Sequence, residues 1–120
     1  MTLFPERKPL THKAHMLTFG ERVVALSLKI PAGRVTTYKI LSRKAGGGGQ
    51  SHRSVTAILG KAWENGEHKI PWHRIVYSDG SVWLSPSIRK KRLALYKKER
   101  ISLDKRNRIV DFWDKLYEFE

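Results

Sequence analysis

The sequence predicts a mainly α-helical domain with a small β-hairpin, arranged as a helix-turn-helix with a wing. Three observations predict this fold class. Two segments with helical apolar faces flank the four glycines at residues 46–49, as in a helix-turn-helix motif. A short apolar and aromatic run leads into the turn residues 78–81, which predicts a hairpin that resembles a wing. A further helical segment, rich in Lys and Arg, follows the hairpin.

Length and composition predict one compact domain. The chain has 120 residues, of which 40% are hydrophobic, so it can bury a modest core. Residues 18–120 contain no repeat and no long linker, and a single domain is expected there. Residues 1–17 have no clear period and are expected to form an N-terminal arm. His12 and His15 lack further ligands at a suitable spacing, so neither a metal nor another cofactor is expected.

Capping signals predict the first two helices. Thr18 and Glu21 have the spacing of a capping box, and apolar residues follow at helical spacing until a Pro-Ala-Gly sequence stops the helix. Either Thr36 or Thr37 can cap a second helix over residues 38–45. The first glycine of the run that follows is expected at the C-terminal end of this second helix.

The third helix, over residues 53–63 with Ser51 as its cap, has two unlike sides. Its core side is formed by Val55, Ile58, Leu59 and Ala62. The opposite side has only small residues and one cation: Arg53, Ala57 and Gly60, with Ser54 and Thr56 at the flanks. Recognition helices that read bases usually display several long polar side chains. This helix is therefore predicted to approach its partner closely.

The fourth helix is predicted to begin at Ser85 and Pro86, an N-cap followed by proline at the first helical position, and to end near Arg100. Its buried side chains are expected to be Ile88, Leu93 and Tyr96, with help from Leu95. Lys and Arg cover much of the remaining surface, either as a solvated face or as a binding face. The tail, residues 109–119, is apolar and aromatic with acids between, and it fits a helix and a strand equally well.

Net charge is the strongest global property of the chain. It has 24 Lys and Arg against 11 Asp and Glu, a formal net charge of +13. Such a charge favours a polyanion, most simply nucleic acid, with an anionic membrane surface as the alternative. No apolar run approaches the roughly 18 residues that span a bilayer, and the N-terminus lacks the apolar region of a signal peptide. An intracellular protein without a membrane partner is expected.

The stretch over residues 70–77 carries the most unusual chemistry. It places Trp72, His73 and Arg74 directly after Pro71, and proline stiffens the backbone there. These residues alone fit a core tryptophan beside a solvated His-Arg pair better than they fit a functional site.

Three motifs in this chain resemble the C-terminal domain of the O6-alkylguanine-DNA alkyltransferases. They are Ile-Pro-Ala-Gly-Arg-Val-Thr-Thr-Tyr at 30–38, Arg-x-Val at 53–55 and Ile-Pro-Trp-His-Arg-Ile-Val at 70–76. Their order and spacing also agree, and the resemblance runs from about residue 19 to residue 100. The chain is still more similar to the non-enzymatic relatives, the alkyltransferase-like proteins.

One position separates those two groups. The alkyltransferases have Pro-Cys-His-Arg at the last motif, and the cysteine accepts the alkyl group. Here that position is Trp72, and the chain contains no cysteine. Indole offers no lone pair for attack on an alkyl carbon, so transfer to a thiolate is chemically impossible within this chain.

The resemblance implies roles for residues that would contact DNA. The third helix would enter the minor groove, and Arg53 would fill the gap left by a flipped-out guanine. Tyr38 would contact the phosphate 3′ to the lesion and help to rotate the nucleotide. Further DNA contacts would come from Thr37, Ser54, Thr56 and Ala57.

The resemblance also implies a pocket for the flipped base and its O6-alkyl group. The pocket would be lined by Trp72, Pro71, Val76 and Trp83. His73 and Glu99 would stand where the enzymes have an activating imidazole and its acidic partner. Because no thiol is present to be activated, structural hydrogen bonds are expected for both.

The resemblance therefore implies a monomer that binds O6-alkylguanine in double-stranded DNA, leaves the alkyl group in place, and flags the lesion for nucleotide excision repair proteins. One alternative is a generic winged-helix or chromatin protein without lesion specificity, against which the small outer side of the third helix argues. The other is a base hydrolase that activates water with His73 or Glu99. The sequence lacks the paired carboxylates or the Asp-led loop that would support a hydrolase.

Overall fold

The structure, a computed structural model, describes residues 17–47 and 52–119. Most of the predicted N-terminal arm and the proposed cap Ser51 lie outside the described residues. The helices are α1 (Phe19–Ser27), α2 (Tyr38–Lys44), α3 (His52–Glu64), α4 (Arg89–Lys98) and α5 (Phe112–Lys115), with a single 3-10 turn at Trp72–Arg74. The strands are β1 (Thr36–Thr37) and β2 (Ile75–Val76). None of the described helices has the length and hydropathy needed to cross a membrane.

The predicted capping interactions of α1 and α2 are confirmed. Thr18 Oγ1 accepts a hydrogen bond from the Glu21 amide at 3.1 Å, and Glu21 Oε1 accepts one from the Thr18 amide at 2.9 Å. Thr37, rather than Thr36, caps α2, since its hydroxyl accepts from the Ile40 amide at 3.0 Å. After α2, Gly46 adopts a φ of +89°, which favours glycine and allows the chain to leave the helix.

Helices α1, α2 and α3 share one hydrophobic core. Its buried members are Val23, Ile30, Leu41, Ala45, Val55, Leu59, Ile70 and Ile75. The inner side of α3 is thus the one that apolar spacing predicted. On its outer side Arg53, Thr56 and Ala57 are exposed, and no atom lies within 4 Å of where a Cβ on Gly60 would be.

Replacement of Gly60 by Ala is expected to raise the free energy of unfolding by about 1 kcal/mol, because glycine in a helix interior is entropically costly and the added methyl meets open space. Chemical denaturation monitored by circular dichroism measures this. The matched control Gly46→Ala should lower stability instead, since alanine is strained at a φ of +89°. A lower free energy of unfolding in the Gly60→Ala variant would mean that the outer side of α3 has no room for the added methyl group.

The predicted antiparallel hairpin is wrong. Strand β2 pairs in parallel with β1, with Thr36 opposite Ile75 and Thr37 opposite Val76. The turn itself forms, because the Gly80 amide donates to the Tyr77 carbonyl at 2.8 Å. Beyond the turn, however, residues 82–84 do not return along β2.

The C-terminal segment replaces the missing half of the hairpin. The Val82 amide donates to the Asn107 carbonyl at 2.9 Å, and Ser81 forms an antiparallel bridge with Arg108. The wing is therefore a loop held by a distant part of the chain. Sequence-local turn signals could not show this pairing, because the partner lies more than two dozen residues away.

Helix α4 begins later than predicted. It starts at Arg89, and Ile88 is its N-cap without a side-chain hydrogen bond. Ser85 accepts backbone hydrogen bonds from Ile88 and Arg89, so the intervening residues form a turn that leads into the helix. The Ser85 hydroxyl lies 3.2 Å from that of Ser87 instead of capping the helix. Tyr96 is buried as expected, whereas Ile88, Leu93 and Leu95 are only half-buried.

The tail combines both conformations that the sequence allowed. Helix α5 is a single short turn, and Leu116 then forms a parallel bridge with Val35. The Val35 amide donates to the Lys115 carbonyl at 2.9 Å, and the Tyr117 amide donates to the Val35 carbonyl at 2.7 Å. A second core forms beneath these contacts from Val35, Val76, Val82, Tyr96, Ile101 and Ile109.

Candidate nucleic-acid interface

A cleft of about 1050 Å³ lies between the outer side of α3, the 3-10 turn and α4. This volume is slightly above the roughly 300–1,000 Å³ typical of ligand sites. The cleft brings together nine of the residues that the sequence singled out: Tyr38, Arg53, Thr56, Ala57, Pro71, Trp72, His73, Val76 and Trp83. Thr37, Ser54 and Glu99 do not line it. Thr37 is buried, and its hydroxyl is engaged in the α2 cap.

Backbone hydrogen bonds set the position of Trp72. The Arg74 amide donates to the Pro71 carbonyl at 2.9 Å, and the Ile75 amide donates to the Trp72 carbonyl, which closes the 3-10 turn. The Trp72 side chain is half-buried, packs against the first core, and lies with its ring centroid 6.4 Å from that of Trp63. The indole thus presents a rigid aromatic surface in the cleft.

Glu99 holds this turn in place from the C-terminal end of α4. Its carboxylate accepts hydrogen bonds from His73 Nε2 at 2.8 Å, from Arg74 Nε at 3.1 Å and from the Gly33 amide at 2.9 Å. Only 8% of the Glu99 side chain is exposed. Burial acts to raise the pKa of Glu99, but the hydrogen bonds from Arg74, Gly33 and His73 outweigh it and lower the pKa to about 2.

His73 is fixed by hydrogen bonds at both its side chain and its carbonyl. Burial lowers the pKa of His73 below its usual value, against the opposing effect of the Glu99 carboxylate, so the imidazole is neutral near pH 7. The His73 carbonyl accepts a hydrogen bond of 2.6 Å from the Tyr96 hydroxyl. Within the described residues no carboxylate lines the cleft. Glu99, the acid that pairs with His73, contacts the ring from outside the cleft.

Tyr38 lies where α2 meets α3 at the edge of the cleft. Its ring centroid is 5.7 Å from that of Tyr77, and its side chain is hydrogen-bonded to Thr56. Burial and the neighbouring Tyr77 raise the pKa of Tyr38, so the phenol is protonated at neutral pH and can donate a hydrogen bond.

Arg53 and Trp83 lie at the open rim of the cleft. Arg53 is exposed on the first turn of α3. Trp83 is 59% exposed and follows the turn at 78–81. A large aromatic side chain so accessible beside a cleft is available to stack on a base.

Sequence reasoning missed several cleft residues. These are Trp63, His68, Lys69, Tyr77, Ile88, Lys91, Arg92 and Leu95. Ile88, Arg92 and Tyr96 recur at intervals of four, which places them on one face of α4, and this period could have separated Arg92 from the surrounding charge run. Tyr77 gave no comparable signal, because it was interpreted as part of a hairpin.

A comparison with protein families identifies the domain. The model of the 6-O-methylguanine DNA methyltransferase DNA-binding domain matches residues 18–101. The chain belongs to this family. Within the family, Trp72 at the acceptor position and the lack of cysteine make it an alkyltransferase-like protein, as the three motifs predicted.

Characterised relatives of this alkyltransferase-like protein include the DNA base-flipping proteins of Escherichia coli (strain K12) and Shigella flexneri. Each is 34% identical over 79 residues, which are 65% of this chain and 59% of the relative. The chain thus spans about three fifths of the length of these relatives.

Solved structures with the same fold include S. pombe Atl1 bound to damaged DNA containing O6-carboxymethylguanine, with a TM-score of 0.63 and 21% identity. Another is S. pombe ATL in complex with DNA, with a TM-score of 0.65 and 22% identity. Each match covers 82% of this chain and 94% of the other. The predicted fold class is confirmed apart from the hairpin.

Proposed function

We propose that this alkyltransferase-like protein binds O6-alkylguanine in duplex DNA from the minor groove and turns the damaged base into the cleft without removing the alkyl group. The observation that carries the proposal is Trp72, which lies in a large cleft at the position where the alkyltransferases have their acceptor thiol. The names of the relatives point the same way, since they describe base flipping and a complex with damaged DNA.

The outer side of α3 is suited to a narrow groove. Thr56, Ala57 and the open position at Gly60 leave no bulky side chain between the helix axis and a partner. The B-DNA minor groove is only about 6 Å wide, so small residues favour close approach. Lys69 and Lys91, exposed cations that line the cleft, supply phosphate contacts.

Two residues at the cleft edge are proposed to handle the extruded nucleotide. Arg53 enters the base stack and occupies the space that the guanine leaves. Tyr38 donates a hydrogen bond from its phenol to the 3′ phosphate as the nucleotide rotates. Flipping costs a few kcal/mol, and less for a damaged, weakly paired base. This difference favours lesions over normal guanine.

The aromatic walls of the cleft are proposed to hold the flipped base. Trp72 is the half-buried indole and Trp83 the exposed one at the rim. Trp72 can therefore contact the O6-alkyl group while Trp83 stacks on the base. Stacking of a base on an aromatic side chain is worth roughly 1–3 kcal/mol. The bound lesion then remains chemically unchanged and marks the site for nucleotide excision repair proteins.

Titration of labelled duplexes with and without a single O6-methylguanine tests this function. We expect tighter binding to the modified duplex and no change in the recovered DNA, because the chain has no thiol to accept the methyl group. Equal affinity for both duplexes would favour a generic winged-helix protein. An altered base in the recovered DNA, detected by mass spectrometry, would show an enzyme.

A further inference from the structure

The cleft has a strongly unequal charge balance. Its lining includes the cations Arg53, Lys69, Arg74, Lys91 and Arg92, and no acid among the residues that the structure describes. Glu99 neutralises Arg74 from outside the cleft. Among the remaining cations, Arg53, Lys69 and Lys91 are exposed to solvent, whereas Arg92 is half-buried.

Arg92 is half-buried and lines the cleft from α4. Ile88, Leu95 and Tyr96 line the same wall, one turn before and after it. The positive charge of Arg92 also acts on two other residues that line the cleft, His73 and Tyr96. It lowers the pKa of His73, in addition to the larger effect of burial, and it opposes the burial that raises the pKa of Tyr96.

The Arg92 guanidinium has no anionic neighbour to satisfy it. Within residues 17–47 and 52–119 it donates no hydrogen bond and forms no ion pair. An anion that enters the cleft can accept hydrogen bonds from this half-buried guanidinium and thereby stabilise its charge. The anion also needs a cation beside it, because burial of an uncompensated carboxylate is costly.

We infer that Arg92 selects O6-alkyl groups that end in a carboxylate over neutral groups of the same size. This inference rests on the proposed function, since it assumes that the flipped base places its O6 substituent against the inner wall of the cleft. A carboxylate two bonds from O6 then accepts hydrogen bonds from the guanidinium, while a methyl or amide group leaves those donors unpaired or weakly paired.

The test compares two nearly isosteric lesions in the same duplex, O6-carboxymethylguanine and its neutral amide O6-carbamoylmethylguanine. The unmodified duplex and an O6-methylguanine duplex are titrated in parallel with the full chain. We expect binding to the carboxymethyl lesion to be about tenfold tighter than to the amide, the difference that one charge-assisted hydrogen bond supplies. Arg92→Gln should reduce this ratio to about one.

Arg89→Gln is the matched control, since it removes the same charge from an exposed position three residues earlier that does not line the cleft. It should leave the carboxymethyl-to-amide ratio unchanged. If Arg92→Gln weakens all duplexes by the same factor, Arg92 contacts a phosphate and the inference is wrong. The same conclusion follows if the wild-type chain binds both lesions equally.

Failure of this inference is distinguishable from failure of the proposed function. Equal binding of the O6-methylguanine and unmodified duplexes would refute lesion recognition itself. Preference for O6-methylguanine together with equal binding of the two larger lesions would refute only the role of Arg92.

Discussion

Replacement of Glu99 by Ala is expected to lower the free energy of unfolding by about 3–5 kcal/mol, the range measured when one partner of a buried ion pair is removed. The substitution leaves the Arg74 guanidinium, the His73 ring and the Gly33 amide without their shared acceptor. Urea denaturation at pH 7 measures the loss. Glu64→Ala, which removes an exposed carboxylate at the end of α3, should change stability by less than about 0.5 kcal/mol.

The contribution of Glu99 should also depend on pH. Its pKa is about 2 in the folded protein against 4.5 as the reference value, so the ionised form stabilises the fold. This stabilisation is complete above pH 4.5 and disappears as the pH falls towards 2. The difference in stability between wild type and Glu99→Gln should therefore narrow over that interval. A difference that stays constant from pH 5 to pH 2.5 would mean that the charge of Glu99 is unimportant.

Replacement of Arg53 by Ala is expected to weaken binding to an O6-methylguanine duplex by about 1–3 kcal/mol, because the variant loses the side chain that is proposed to fill the vacated base stack. Binding to the unmodified duplex should fall much less, since no base is flipped there. Fluorescence anisotropy titrations with both duplexes measure the two losses and their difference.

Lys61→Ala is the control for Arg53. Lys61 is exposed on the same helix and does not line the cleft. Removal of one phosphate contact should weaken both duplexes alike and reduce the salt dependence by about one unit. If Arg53→Ala behaves as Lys61→Ala does, Arg53 is only a phosphate contact.

The sequence predicted correctly those features of the helices that depend on residues close together in the chain. The capping box of Thr18, the cap at Thr37 and the apolar side of α3 are each set within one or two turns of a helix, and all three are confirmed. The family followed from three motifs whose order and spacing are together specific.

Non-local pairing explains what the sequence did not show. The apolar run at 75–77 is compatible with any strand partner, and the predicted hairpin paired it with the nearest segment in the sequence, just after the turn at 78–81. The actual partner is β1, and the bond from Val82 goes to Asn107. For the same reason the sequence leaves open whether Arg92 belongs to a solvated face or to a binding face, since only the tertiary structure shows which cations of α4 line the cleft.

The long-range hydrogen bonds of Gly33 and Arg34 have a consequence for folding kinetics. Helices α1 to α3 associate over short stretches of chain, whereas the Gly33–Glu99 and Arg34–Lys115 hydrogen bonds join residues 66 and 81 positions apart. Closure of such long loops costs entropy before the contacts form, and it slows folding. Helices α1 to α3 can therefore pack before these two hydrogen bonds form, whereas the cleft is complete only after Glu99 has reached the 3-10 turn that carries Trp72.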